Sequence, residues 1–229
     1  MRSSRSTWLF AAAIILTAVL IAATSSFAQF GQNWFDRPEI RKFWNLAVGK
    51  GSVYETTHSG GKKTTMEFEI VSKETVDGQT GYWFEMATDD SSSGGKFFAK
   101  SLMVPGETRT RRMIFKLPNM DAMEMPMNGN PYAGRGNSKP DVESKVPPKL
   151  LGTETITVPA GTFSCEHYQE SEGDEAWINP KVSPITLVKR VTKSETMILV
   201  KQIDAVEHIT GPVKPFDPMA MRNIMQPQH

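Results

Sequence analysis

Cys165 and His167 stand two residues apart, and a thiol with an imidazole in reach is the smallest kit for a cysteine nucleophile and its base. The surrounding residues, Thr162 to Gln169, read as a β-strand, so both side chains leave the same face. Same-face neighbours on one strand lie roughly 7 Å apart at Cβ, given a rise of about 3.3 Å per residue. That is too far for proton transfer without rearrangement, and a lone cysteine is usually a buried, inert thiol. With one cysteine in the chain, no intrachain disulfide forms. His58, His208 and His229 show no metal-ligand spacing. Nothing has the pattern of a nucleotide loop, a nucleophile elbow or a zinc motif. The expectation is a non-enzyme with no catalytic residue and no cofactor.

Two other clusters invite chemistry. Met120-Asp121-Ala122-Met123-Glu124-Met125-Pro126-Met127 is rich in thioethers. Soft sulfur ligands suit Cu(I), with Met123 and Met125 the residues to test. The same residues suit an adaptable lid over an apolar pocket, or plain packing on a sheet. Arg109, Arg111, Arg112 and Lys116 make a basic strand. It would suit anionic headgroups or a partner, or form a solvated face that discourages edge pairing. Overall, 26 basic residues stand against 25 acidic ones, and loss of Arg2 and Arg5 with a leader leaves −1. A near-neutral chain lacks the clustered field that nucleic acid requires.

The largest candidate site is apolar. In Thr65 to Ile70, Met66, Phe68 and Ile70 face one way while Glu67 and Glu69 face the other. The same rule puts Tyr82, Phe84 and Met86 opposite Trp83 and Glu85. With Met103, Met113 and Phe115 these make nine candidate ligand-binding residues. One reading is a pocket on the concave side of a curved sheet, holding a lipid or another apolar small molecule. The other is an ordinary core beneath a helix; alternation alone does not separate the two.

The elements that must position these residues follow from period and punctuation. A helix is expected from Asp36, which with Glu39 makes a capping box, Pro38 sitting in the first turn. Phe35 and Ile40 are its staple, and Ile40, Phe43, Trp44 and Ala47 are its apolar stripe, ended by Gly49 and Gly51. Strands follow at Val53–His58, Thr65–Ile70, around Tyr82–Met86, Phe97–Val104 and Arg109–Leu117, with Asp77-Gly78 a strong hairpin signal. Residues 118–149, rich in Met, Pro and Gly, show no period and read as a long loop. Strands resume at Thr153–Val158, Thr162–Gln169, Ala176–Ile178, Leu187–Val191 and Thr196–Ile203. The Pro-rich tail, 211–229, reads as mobile. The fold class is therefore mostly β (α+β): a strongly curved antiparallel sheet, or unclosed β-barrel, of about ten strands with one N-terminal helix.

Residues 1–28 read as a signal peptide. Arg2 and Arg5 precede an uncharged stretch from Trp8 to Ala23 of about sixteen residues, shorter than the roughly twenty a spanning helix needs. Ser26-Phe27-Ala28 then sets cleavage between Ala28 and Gln29. The expectation is an exported protein, periplasmic or secreted, that meets a membrane only through its leader. Residues 29–210 form a single domain, and no acyl anchor is expected because the cleavage point lacks cysteine. No protein partner is named by the sequence.

One phrase carries a resemblance. Leu151-Gly152-Thr153-Glu154-Thr155-Ile156-Thr157-Val158-Pro159-Ala160-Gly161-Thr162-Phe163 is followed by Cys165, Tyr168, Trp177 and Pro184-Ile185-Thr186-Leu187-Val188-Lys189. This resembles uncharacterised exported bacterial β-proteins, as does Gly81-Tyr82-Trp83-Phe84-Glu85-Met86. Those are similar in layout to the periplasmic lipoprotein-carrier fold of the LolA and LppX type. The resemblance spans roughly residues 50 to 205 and implies an unclosed barrel wrapped around a helix. Its motifs are turn and core residues, and no catalytic residue transfers. The function expected is a non-catalytic exported binding protein, with a structural or interaction module and a Met-rich copper binder as alternatives.

Overall fold

Two-residue alternation and tight turns dominate the chain, and the backbone they dictate is a sheet. The computed structural model describes residues 43–90, 95–107, 110–126, 148–169 and 173–217. Twelve strands lie within them: β1 (Lys50–His58), β2 (Lys63–Val76), β3 (Gln79–Asp90), β4 (Gly95–Met103), β5 (Arg112–Lys116), β6 (Ala122–Met125), β7 (Lys149–Val158), β8 (Gly161–Gln169), β9 (Glu175–Ile178), β10 (Leu187–Val191), β11 (Glu195–Asp204) and β12 (Val213–Pro215). They form one unclosed sheet in the order β12-β6-β5-β4-β3-β2-β1-β11-β10-β9-β8-β7. Strands β1 to β6 are one meander and β7 to β11 another. The two join where β1 pairs antiparallel with β11, from Lys50↔Asp204 to His58↔Glu195.

The turn chemistry is local and direct. Asp77 (φ +50°) and Gly78 (φ +78°) make the β2–β3 turn, and two successive positive φ values match the right-handed twist of a hairpin. The Pro159-Ala160 turn delivers Gly161 at φ +132° into β8. The second meander curls, because the Ala160 amide in that turn reaches back to the Leu199 carbonyl on β11 at 3.4 Å.

Strand count, loop and tail need correction, and the helix is unconfirmed. The described residues alone hold twelve strands, against about ten expected. The long loop at 118–149 contains β6, and the tail beyond Gly211 contains β12, which pairs parallel with β6. Strands of four and three residues are too short to display a period, and β12 exists only through a distant partner. The expected helix is not seen among the described residues. Its start, 36–42, lies outside them, and Phe43 to Ala47 follow a different path. Phe43 is in a 3₁₀ conformation and Trp44 bridges Ile185. The backbone bonds of this stretch go to the 179–186 connection: Asn45 N–H to the Pro184 carbonyl at 2.9 Å, and Thr186 N–H to the Phe43 carbonyl at 3.0 Å. A tertiary partner outbids local helix propensity here. The leader and its cleavage pair, Ala28 and Gln29, also lie outside the described residues.

Both faces of the sheet are apolar in places. One carries the main core, which gathers Phe68, Ile70 and Phe84 from the first meander with Tyr168, Trp177 and Leu187 from the second. Tyr54, fully buried on β1, ties the halves: its hydroxyl lies 2.8 Å from the Leu187 carbonyl and 3.2 Å from that of Ile185. Trp83, Leu102, Ile114, Ala122 and Ile209 form a second, smaller cluster. Ile209 belongs to a strap that runs from the end of β11 across the sheet to β12. The nine residue steps from Asp204 to Val213 reach about 32 Å at full extension. The seven inter-strand spacings amount to about 34 Å measured along the sheet, so the strap takes a shorter path than the sheet's own width.

Tyr54→Phe keeps the packing and removes the hydroxyl, leaving two buried carbonyls short of a donor. Urea unfolding should show a loss of about 1–3 kcal/mol.

Candidate functional site

The strand register sets all nine apolar candidates on one face. Phe68 opposes Met86, which opposes Ala99 and then Phe115. Ile70, Phe84, Ser101 and Met113 make the parallel row, and Tyr82 opposes Met103. Phe68, Ile70, Phe84, Met86, Met103 and Phe115 are buried, whereas Met66, Tyr82 and Met113 are half-buried. Phe68 and Phe84 stack at 5.7 Å between ring centroids. Trp44 meets Phe84 edge-on at 5.6 Å, Tyr54 tilts against Phe68 at 5.6 Å, and Phe216 meets Phe115 at 5.9 Å. Two open depressions, of about 480 and 380 Å³, are lined by none of the nine.

The other candidates are dispersed. Met123 is buried on β6 opposite Phe115, and Met125 is half-buried opposite Met113, so both thioethers join the apolar face. Met127 and Arg109 lie outside the described residues. The basic run is matched by acids: Arg111 bonds Glu107 and lies 3.2 Å from Asp77, and Arg112 grips Glu124 at 2.7 and 2.9 Å. Each of these pairings holds the guanidinium pKa above its ordinary value. Cys165 is fully buried, and burial, helped by Glu154, pushes its thiol up to about 11. His167 is stacked on Trp177 at 4.3 Å and lies 3.4 Å from Glu154 and 3.3 Å from Glu175. A thiol so rarely ionised, beside an imidazole engaged with two carboxylates, makes no nucleophile–base pair. His58 contacts Thr64 and Glu195 near the β1–β2 turn, and His229 lies outside the described residues.

His208 is different, and sequence reasoning missed what it does. Glu69 and Glu85 were readable as residues of the second face, but there they are 2% and 1% exposed. They are direct cross-strand partners on β2 and β3. Like charges so placed repel and lose their water. The strap compensates. Val206 N–H donates to Glu69 Oε1 at 3.3 Å, His208 N–H to Glu85 Oε1 at 2.8 Å, and Ile209 N–H to Glu85 Oε2 at 3.2 Å. The imidazole Nδ1 lies 3.0 Å from Glu85 Oε1 and 3.6 Å from Glu69 Oε2, and the ring stacks on Phe98 at 4.8 Å. Three of the four carboxylate oxygens thus accept strap N–H groups, which makes the cluster a hydrogen-bonded clasp. Burial raises the Glu69 carboxyl pKa, with Glu85 and Glu67 adding to the rise, against the Val206 amide and His208.

Gly51 makes room for this arrangement. A Cβ there would stand 2.7 Å from Glu69 Cγ and 2.9 Å from the Phe68 carbonyl oxygen. The nearest sequence signal was Gly51 itself, which reads as a helix stop but serves as a notch in β1.

No family model and no curated relative matches the chain. Two solved structures resemble it. One is a presumed lipoprotein from Parabacteroides distasonis ATCC 8503, 15% identical, with a TM-score of 0.36 over 70% of this chain and 97% of that one. The other is a presumed exported protein with a YmcC-like fold from Bacteroides fragilis NCTC 9343, 13% identical, with a TM-score of 0.34 over 70% and 98%.

Two outcomes follow from this geometry. Gly51→Ala should cost about 1–3 kcal/mol through overpacking, read as a lower urea midpoint at unchanged slope. Cys165 should resist iodoacetamide in the native protein near neutral pH and label readily in denaturant, because its thiol must lose both its burial and its raised pKa first.

Proposed function

We propose that the chain is an exported, non-catalytic structural or interaction module whose apolar sheet face is a filled core. One observation carries this reading: Phe68, Phe84 and Phe115, the phenyl groups that would line a pocket, each touch another aromatic ring of the same chain. A face filled by its own rings leaves an apolar ligand little surface to bury. Export rests on the leader pattern at 1–28 and its small-residue cleavage point.

The surface supports an interaction role more than a ligand role. Leu150 and Leu151 are 52% and 45% exposed. Both lie on β7, the outermost strand of the second meander and ten residues long. Apolar side chains on a long edge strand are a surface for pairing.

Native mass spectrometry of the purified protein, with a fluorescent fatty acid as added probe, tests the reading. Bare protein and no saturable fluorescence change are expected. A lipid mass retained through purification, lost together with probe uptake in Phe84→Asp, would restore the carrier reading in place of this one.

A further inference from the structure

The outer-face clasp does more than tether a tail. Everything that joins residues 205–209 to β2 and β3 by hydrogen bonds ends on two carboxylates, Glu69 and Glu85. Those carboxylates are cross-strand neighbours and almost fully buried. The cations nearby are committed elsewhere: Lys100 to Glu207, Lys96 to Glu67 at 2.7 Å, and Lys50 to Asp204 at 2.7 Å. Lys201 lines the open depression at the solvent side of the cluster. His208 is therefore the group placed to answer both charges, 3.0 and 3.6 Å away.

From this geometry we propose that residues 205–217 are a proton-held latch: the strap closes on the sheet while Glu69, buried beside Glu85, carries a proton, and loosens as rising pH removes it. Two buried carboxylates side by side are tolerable with one proton between them and mutually repulsive without it. Loosening it bares the cluster of Trp83, Leu102, Ile114 and Ala122 and frees the outer edge of β6. This is a regulatory property of the outer face and does not depend on how the opposite, filled face is used.

The sign is fixed by linkage. In the closed state burial raises the Glu69 pKa above its ordinary 4.5, while a lifted strap returns that side chain to water. The closed state therefore holds the proton more tightly. Its extra stability is fully present below the ordinary glutamate value and is lost as pH rises through the raised one.

Hydrogen–deuterium exchange on the purified protein reads this directly, with protection corrected for intrinsic rates between about pH 4 and about pH 8, and central amides of β2 and β3 as reference. In the wild type, protection of the Val206, His208 and Ile209 amides should fall across that range, by about tenfold for each pK unit separating closed and open Glu69. Glu69→Gln keeps an oxygen for the Val206 amide but carries no charge, so its strap should stay protected and pH-independent. Equal slopes in the two proteins would overturn the latch, as would a flat wild-type profile. Loss of strap protection in step with the central strands would overturn it too, since that is global unfolding. The wild-type series decides these last two points even if the variant fails to fold.

Discussion

The pairing of β1 with β11 is the constraint on which the rest depends. Every other antiparallel ladder joins strands that follow one another in sequence, whereas this one joins Lys50 to Asp204 and His58 to Glu195. Closing a loop that long costs conformational entropy before any contact repays it. The repayment is concentrated at β1. Tyr54 fills the space beneath the ladder and reaches two carbonyls of the 185–187 stretch. Ser52 donates to the Ser183 carbonyl at 2.6 Å, and Ser183 in turn to the Asn45 carbonyl at 2.7 Å. Without that joint the chain would be two meanders, each with an uncovered apolar face.

The parts of the fold legible in the sequence were those whose cause is local. Asp77-Gly78 marked its hairpin because only a few residue types accept two positive φ values. Met66, Phe68 and Ile70 marked their face because the pleat has a period of two. What escaped had a distant cause. The Phe43–Ala47 stretch carries a helical stripe, yet the Asn45 amide and the Phe43 carbonyl are taken by Pro184 and Thr186. Strand β12 has no pattern of its own and is defined by its partner, β6. Glu69 and Glu85 were placed on the correct face, but the strap that buries them comes from a tail with no periodicity.

The same distinction governs the site. The nine apolar residues were gathered onto one face, as alternation requires, but alternation carries no information about what lies above them. Trp44, Tyr54 and Phe216 come from outside the strands that supply the nine or from the strap's end, and they account for much of the ring packing. The charged residues tell a parallel story. Arg111 and Arg112 look like a free basic stripe in sequence, and in space each has an acid. Chemistry that seemed available in the sequence is spent on holding the sheet together, and the pair that no motif announced, Glu69 and Glu85, is almost fully buried.

The strand order has a consequence for the timing of assembly. A chain made from its N-terminus presents β1 to β6 first, as a finished meander with two bare borders. The border at β1 waits for β11, and the border at β6 waits for β12, so both are sealed by strands that emerge much later. Between the emergence of β6 and that of β11 and β12 the nascent chain is thus a sheet with sticky margins, in need of a companion to shield them.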